Sequence, residues 1–534
     1  MIIAVVAVVL FLSLVATRSF WPKQRDHGKL EPPIIYTKIP LLGHIIGMIL
    51  RKKNFYEELR NQCSQPIVTL PMLGSRVYVV FSVPVIQAIQ KESKALAFQP
   101  IQARFSVRLC GASRQAYRIL QRDMECDGEY GNIYTAMHRA LAPGESLNDM
   151  SRVMIGRVRE FVEGIPSKST VRLDEWLRHH VTQATTDAVY GPHNPFRDLR
   201  VERAFWEFER TIPQLIFLPS WLARRGARNR KVVADAFEEY FFRGQHEEAS
   251  DLVRDFYESE CSYGFSLSDR ARFEVGLAVA NLANTYAAVF WMAFYVFSNP
   301  AVLEEIRREV SSIIKVVVDG PDDGSPQENG AKQRRVLDMT KVNSYCPLLV
   351  STFRESIRLH SVGISLREVC RDTVVSDAYL LKKGATVLMP TIAIHTDPRI
   401  WGADVLSFRH DRFLNPEKRG GSRGDRVSAA AFRSFGGGTT LCPGRHFATT
   451  QILVWICLLV LRFDMRPTSG HWAQPKTEKS NLANVIMRPD DDIEVELTSR
   501  GIYEDTDMDV RITSQEAMLS VTVEDLKEDA ETLR

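Results

Sequence analysis

The most constraining stretch of this chain is the loop Phe435-Gly436-Gly437-Gly438-Thr439-Thr440-Leu441-Cys442-Pro443-Gly444-Arg445, which opens onto a long apolar run. Its glycines let the backbone take positive φ and approach a flat partner closely. Pro443 suits the first residue of a helix, where a missing N–H costs nothing. A helix starting behind Cys442 would aim unpaired N–H groups and a positive dipole end at the sulfur, favouring thiolate over thiol. The fold therefore has to hold one cysteine in a tight cradle.

Two upstream segments belong with this loop. In the run from Leu348 to His360, apolar residues recur at helical spacing, and Glu355 and Arg358 share one face at i, i+3. Alone, such a pair is usually a solvated ion pair worth a few tenths of a kcal/mol. Further on stands Phe408-Arg409-His410-Asp411-Arg412-Phe413. Taken with Phe-x-x-Gly-x-x-x-Cys-x-Gly, these segments resemble, in order and spacing, the motifs of the cytochrome P-450 family. His410 and Asp411 replace the usual Pro and Glu. The resemblance implies a mainly α fold with a small β-region, and haem b ligated by the Cys442 thiolate. It implies Phe435, Gly438 and Gly444 as the cofactor cradle, and a buried Glu355–Arg358–Arg412 network that fixes the core. A thiolate ligand pushes electron density through the iron and favours O–O cleavage on the opposite face.

The segment Arg272 to Phe297 reads as one long helix, apolar from Val275 onward apart from Asn281, Asn284, Thr285 and two aromatic polar tips. A helix apolar all round is either membrane-spanning or central, and two asparagines at its middle favour a central position. The family usually carries Ala-Gly-x-Asp/Glu-Thr-Thr here, and this chain has Ala280-Asn281-Leu282-Ala283-Asn284-Thr285. The best register puts Ala283 at the acid position and Asn284 at the oxygen-activating hydroxyl. A register shifted by one would keep Thr285 as that hydroxyl. Ala-Asn-Thr followed by Phe290-Trp291, with Thr440 where most members carry Arg or His, resembles the branch of bile-acid sterol hydroxylases and prostacyclin synthase. That branch holds both hydroxylases and peroxide-rearranging isomerases. With Thr440 non-basic, Arg367 is expected to meet the haem propionates. Tyr134 to Arg139 stands near the family's Trp-x-x-x-Arg helix, which makes His138 and Arg139 further candidates.

No composition break divides the 534 residues, so one catalytic domain over 45–500 is expected. A net charge of +3 is too small to argue for nucleic acid. The eight cysteines show no CxxC or zinc-type spacing, and a disulfide scaffold is not expected at this size. Residues 1–21 read as a transmembrane signal anchor, because no basic residue precedes the apolar run and no A-x-A-like cleavage site closes it. Arg18, Lys23, Arg25 and Lys29 keep the downstream side cytosolic. The resemblance then implies the endoplasmic reticulum membrane, single-pass, with residues 22–44 as a proline-stiffened hinge. Ile212 to Leu222, with basic residues from Arg224 to Lys231 behind it, is either a second contact with membrane lipid or a core helix. Val318 to Arg335 and Glu417 to Gly424 read as surface loops, and residues 501–534 as an acidic, disordered tail.

The function these motifs imply is a monooxygenase that inserts one atom of O2 into a lipophilic substrate: a sterol, a terpenoid or another secondary metabolite. The sequence resembles fungal members of the family that serve such routes, and electrons would come from NADPH through NADPH-cytochrome P-450 reductase. Asn284 and Thr285 would handle distal hydrogen bonding. The alternatives are a reductase-independent isomerase or dehydratase on the same fold, or a non-catalytic haem-binding protein.

Overall fold

The computed structural model describes residues 31–72, 74–124, 132–218, 221–318, 333–414, 428–480, 483–501 and 508–512. The expected anchor (1–21) and the loop from Glu417 to Gly424 lie outside them. Helices dominate, and the core is built around two of them, Thr285–Phe297 and Arg445–Arg462. Both are apolar on every face, so both need neighbours all round. Every residue from Thr285 to Phe297 is buried, and nearly every one from His446 to Leu461. The helices Glu145–Glu163, Leu173–Tyr190 and Pro347–His360 complete the packing around this pair. Among the described residues, two stretches are long and apolar enough to cross a membrane, Leu267–Phe297 and Arg445–Arg462, and 78% of the apolar window of each is buried inside the protein.

The β-region is small and lies to one side. Its main sheet has the order Ile67–Met72, Ser75–Val80, Thr386–Pro390, Ile364–Val369, Leu96–Ala97. Thr386–Pro390 runs parallel to Ser75–Val80 and antiparallel to Ile364–Val369, with Val387 opposite both Tyr78 and Arg367. This register sets Arg367 on a strand next to the cysteine loop.

The structure departs from the sequence reading in four places. The long helix starts at Leu267, where Ser266 accepts a hydrogen bond from the Asp269 N–H and donates to its carboxylate. It then breaks at Ala283–Asn284 and resumes at Thr285. The expected hinge is in part docked. Ile35 N–H donates to Thr69 O, Thr69 N–H to Pro33 O, and the Thr69 hydroxyl to Pro32 O. Cys370 is disulfide-bonded. Finally, the loop after Ile313 and the acidic tail meet in a sheet. Ile314–Val318 and Gln333–Asp338 pair antiparallel, and Met508–Arg511 adds to the second strand in parallel, Met508 opposite Arg335. Met508 and Leu337 are both fully buried, so apolar burial offsets the cost of ordering this part of an acidic segment.

Deleting residues 501–534 should therefore speed amide hydrogen exchange in Arg335–Asp338 while leaving Ile67–Val80 unchanged. Equal protection of Arg335–Asp338 in both proteins would contradict the parallel pairing.

Candidate active site: a cysteine loop facing a broken helix

The cysteine loop is shaped by its backbone. Cys442 N–H donates to Phe435 O across 2.9 Å, closing the loop onto itself. Gly436 sits at φ 84°, and a Cβ there would stand 2.6 Å from Thr440 O. Gly438 sits at φ 58° against Gln90. Neither position accepts a side chain without distortion. The following helix begins at Arg445, not at Pro443, with Gly444 as its N-cap. The first turn is thus two residues further from the sulfur than the sequence suggests. Burial raises the Cys442 thiol above its ordinary value, opposed by the backbone N–H of Gly444 and the charge of Arg445.

Cys442 opens on a cavity of about 340 Å³. The wall across from it is the broken helix, represented by Ala280, Asn281, Asn284, Thr285 and Ala288. The break has a local cause. Thr285 Oγ1 donates to Asn281 O at 3.1 Å, a side-chain bond that takes up a carbonyl of the interrupted ladder. Asn284 commits its amide oxygen to the backbone, accepting from Val485 N–H at 2.9 Å and Ile486 N–H at 3.0 Å. It thereby ties the helix to the segment that closes one side of the cavity.

The cavity also holds charge. Arg367 is 1% exposed and, among the described residues, donates only to neutral oxygens, Leu366 O at 2.7 Å and Thr440 Oγ1 at 2.9 Å. Burial, with Arg433 nearby, pulls its guanidinium down to about 10, so it stays cationic at neutral pH. Arg433 is itself 4% exposed and lines the same cavity. Thr440, where a basic residue is usual, instead receives Arg367 and donates to Gly437 O.

Behind the loop lies the buried network. Arg358 donates to Glu355 through Nε at 2.7 Å and through a terminal nitrogen at 2.9 Å, with both side chains fully buried. Arg412 Nε donates to the same carboxylate at 2.8 Å and also reaches Asp404 at 3.1 Å. The remaining guanidinium hydrogens go to the carbonyls of His395, Val405, Trp401 and Ser407. Arg358 and Arg412 face the carboxylates of Glu355 and Asp404, Arg409 also pairs with Asp404, and nearly all the donors of Arg358 and Arg412 have acceptors, which is the condition for tolerating buried charge.

The sequence model of the family described as Cytochrome P450 matches residues 32–497. The chain belongs to the cytochrome P450 family. It is 33% identical over 499 residues to Cytochrome P450 monooxygenase nodJ of Hypoxylon pulicicidum, covering 92% of this chain and 94% of that protein. It is 26% identical over 490 residues to Cytochrome P450 7B1 of Mus musculus, covering 87% and 90%. It is 26% identical over 402 residues to 25-hydroxycholesterol 7-alpha-hydroxylase of Rattus norvegicus, covering 71% and 90%. The protein is thus an oxidoreductase of a family that binds haem through a cysteine thiolate.

The residues present fit that group. A P450 haem carries two carboxylates, and a buried Arg367 held only by neutral partners calls for an anion. A Cβ on Gly444 would meet no protein atom within 4 Å, although Gly444 lines the cavity. Phe435 lies on the same wall. Of the two weaker candidates, Arg139 reaches outward to Asp255 at 3.0 Å with a 73% exposed side chain. Burial, and after it the charge of Arg445, lowers the His138 pKa.

Two residues went unnoticed in the sequence. Arg433 stands two places before Phe435, and a basic residue so close to the glycine loop was the available signal. His395 left none. Its Nδ1–H donates to Arg358 O at 2.9 Å, and its Nε2 accepts from Arg433 N–H at 2.9 Å. One neutral imidazole thus connects the Glu355–Arg358 pair to the chain that enters the cysteine loop.

Glu355→Ala should leave two buried guanidiniums without their shared carboxylate, a loss of about 3–5 kcal/mol. The expected result is protein lacking haem; a soluble, haem-loaded variant with unchanged unfolding midpoint would contradict the network's role. Burial first, then the charge of Arg358, lowers the His395 pKa to about 3 from 6.5. Between those values the unfolded chain binds the extra proton, so this contribution to stability is complete above about pH 6.5 and lost as pH falls toward 3. From pH 6 to 4, wild type should lose about 1.4 kcal/mol per pH unit more than His395→Gln. Parallel stability–pH curves would contradict a neutral, buried His395.

Proposed function

We propose that this P450 inserts one atom of O2 into a lipophilic small molecule, with Cys442 as the iron ligand and Arg367 and Arg433 as partners of the haem carboxylates. The supporting observation is convergence. A glycine-built cysteine loop and a buried cation held only by neutral protein groups open on one cavity. When bound, the haem supplies the redox chemistry. The chain's part is to hold it, exclude water and position substrate and protons.

Asn284 is a positioning residue in this reading. With its oxygen spent on Val485 and Ile486, its amide can offer the cavity only N–H, which is not a proton acid at neutral pH. Thr285 spends its hydroxyl hydrogen on Asn281 O and retains lone pairs that can accept from a relay water. The usual acid position holds Ala283, so a proton has to arrive through water.

The substrate class we infer is a sterol, a terpenoid or another secondary metabolite. The names of two relatives support it, one specifying 25-hydroxycholesterol and one a monooxygenase of a fungus. Electrons from NADPH through NADPH-cytochrome P-450 reductase complete the reaction. Placement on the endoplasmic reticulum membrane, single-pass with the catalytic domain cytosolic, is supported by two exposed apolar patches. One holds Phe217 (78% exposed), Trp221 and Leu222, and the other Ile49 and Leu50 (75%). Part of the basic rim is engaged within the protein: Arg225 pairs with Glu207, and Arg230 donates to the carbonyls of Arg108 and Leu109. The second reading, a reductase-independent isomerase, draws on the missing acid and the amide at position 284.

Incubation with a lipid panel separates the two. Product that needs both NADPH and reductase supports oxygen insertion, and product formed without either would overturn it in favour of isomerisation. In the same assay Asn284→Ala should lower product per NADPH several-fold and raise peroxide release. If Asn284→Ala is silent and Thr285→Ala uncouples turnover, Thr285 carries the oxygen-activating role.

A further inference from the structure

The chain bends sharply between the helices Gly43–Arg51 and Lys53–Gln62, which are separated by the single residue Lys52 at φ 48° and ψ −121°. A lysine is strained in that conformation, where a glycine would not be. The local sequence does not ask for the bend, because Met48 to Gln62 contains neither proline nor glycine and suits one continuous helix. The side chains supply the reason. Lys52 Nζ donates to Glu478 O at 2.8 Å and to Ser480 O at 3.2 Å. Lys53 Nζ donates to Thr477 Oγ1 at 3.1 Å and lies 3.3 Å from Met487 Sδ. Neighbouring residues of a straight helix point about 100° apart and do not face one partner. The bend brings both ammonium groups onto the same segment. That segment belongs to the cavity wall. Asp490 accepts from the N–H groups of Glu478 and Lys479, and Ser480 Oγ exchanges hydrogen bonds with the backbone of Arg488. These bonds tie Thr477–Ser480 to Val485 and Ile486, which line the cavity and fasten Asn284.

On the other side of the bend, Ile46, Ile49 and Leu50 recur at i, i+3 and i+4 and are exposed, while His44 and Gly47 of the same helix are buried. We propose that Lys52 is a hinge and clamp that couples contact with a lipid bilayer to the cavity wall. Bent, the helix Gly43–Arg51 presents its apolar face outward while Lys52 and Lys53 pin the wall segment. Straightened, Lys52 returns to helical backbone and its ammonium group leaves the two carbonyls. The helix Lys53–Gln62 is fixed in the core by Phe55, Tyr56 and Leu59, so straightening re-aims the apolar face, and a flat bilayer fits one form better than the other. A bilayer that takes up this face in the bent form shifts the population toward the clamped wall. The proposal rests on the membrane placement above and gives that placement a consequence inside the site.

The test measures amide hydrogen exchange in full-length, haem-loaded protein held in phosphatidylcholine nanodiscs that contain a photoactivatable phosphatidylcholine. Lys52→Met removes the clamp's donors, and the amides of Glu478, Lys479 and Arg488 should then exchange on the order of tenfold faster, with Ile67–Val80 unchanged. The double variant Ile49→Ser, Leu50→Ser leaves both lysines in place. It should nevertheless speed the same three amides several-fold and lose lipid cross-links over residues 46–50. Wild-type exchange in Lys52→Met would overturn the clamp. Fast exchange in Lys52→Met beside wild-type exchange in the double variant would reduce Lys52 to a structural contact and overturn the coupling to lipid. Wild-type protein without cross-links over residues 46–50 would sink the membrane placement of this helix, and the proposal with it.

Discussion

The carboxylate of Glu355 is the interaction on which the rest of this site depends. It is fully buried and receives Arg358, Arg412 and the N–H of Arg409. Buried ion pairs seldom add net stability, because desolvation offsets their attraction. What they add here is position. Arg358 and Arg412 each grip several main-chain carbonyls between His395 and Ser407, so one helix side chain pair fixes a long irregular segment. His395 extends that hold by a hydrogen bond to Arg433, two residues ahead of the cysteine loop. The irregular backbone around Cys442 is therefore organised from behind by charge and from within by glycine.

The opposite wall follows a different logic. A helix apolar on all faces is rigid where its ladder is intact and can be opened where a side chain substitutes for a backbone donor. Thr285 does so at Asn281, and Asn284 then fastens the opened turn to Val485 and Ile486. The cavity thus lies between two irregular pieces of backbone, each held by a few directional bonds on a large apolar core. Irregular backbone can face a ligand only when other groups satisfy its polar atoms.

Much of this was legible in the sequence. The Phe435–Gly444 spacing, Glu355–Arg358 and Arg412 are local patterns with strict geometry, and the fold brings the last three into contact. Apolar periodicity located the central helix but not its break, because Ala283-Asn284 is compatible with a continuous helix and the competing bond comes from Thr285. His395 was invisible for another reason. Its importance comes from contacts between segments distant in sequence, and neither residue type nor spacing announces such a bridge. The acidic tail was misread in part because composition averages over a segment, while Met508 and Val510 alternate as a strand does.

The central claim is that this scaffold exists to hold the Cys442 sulfur against the iron. X-ray absorption at the iron edge tests it most directly on purified ferric protein, wild type and Cys442→Ser. The account predicts one sulfur in the first coordination shell of wild type and none in the variant. A shell without sulfur in wild type, or sulfur retained in Cys442→Ser, would contradict it.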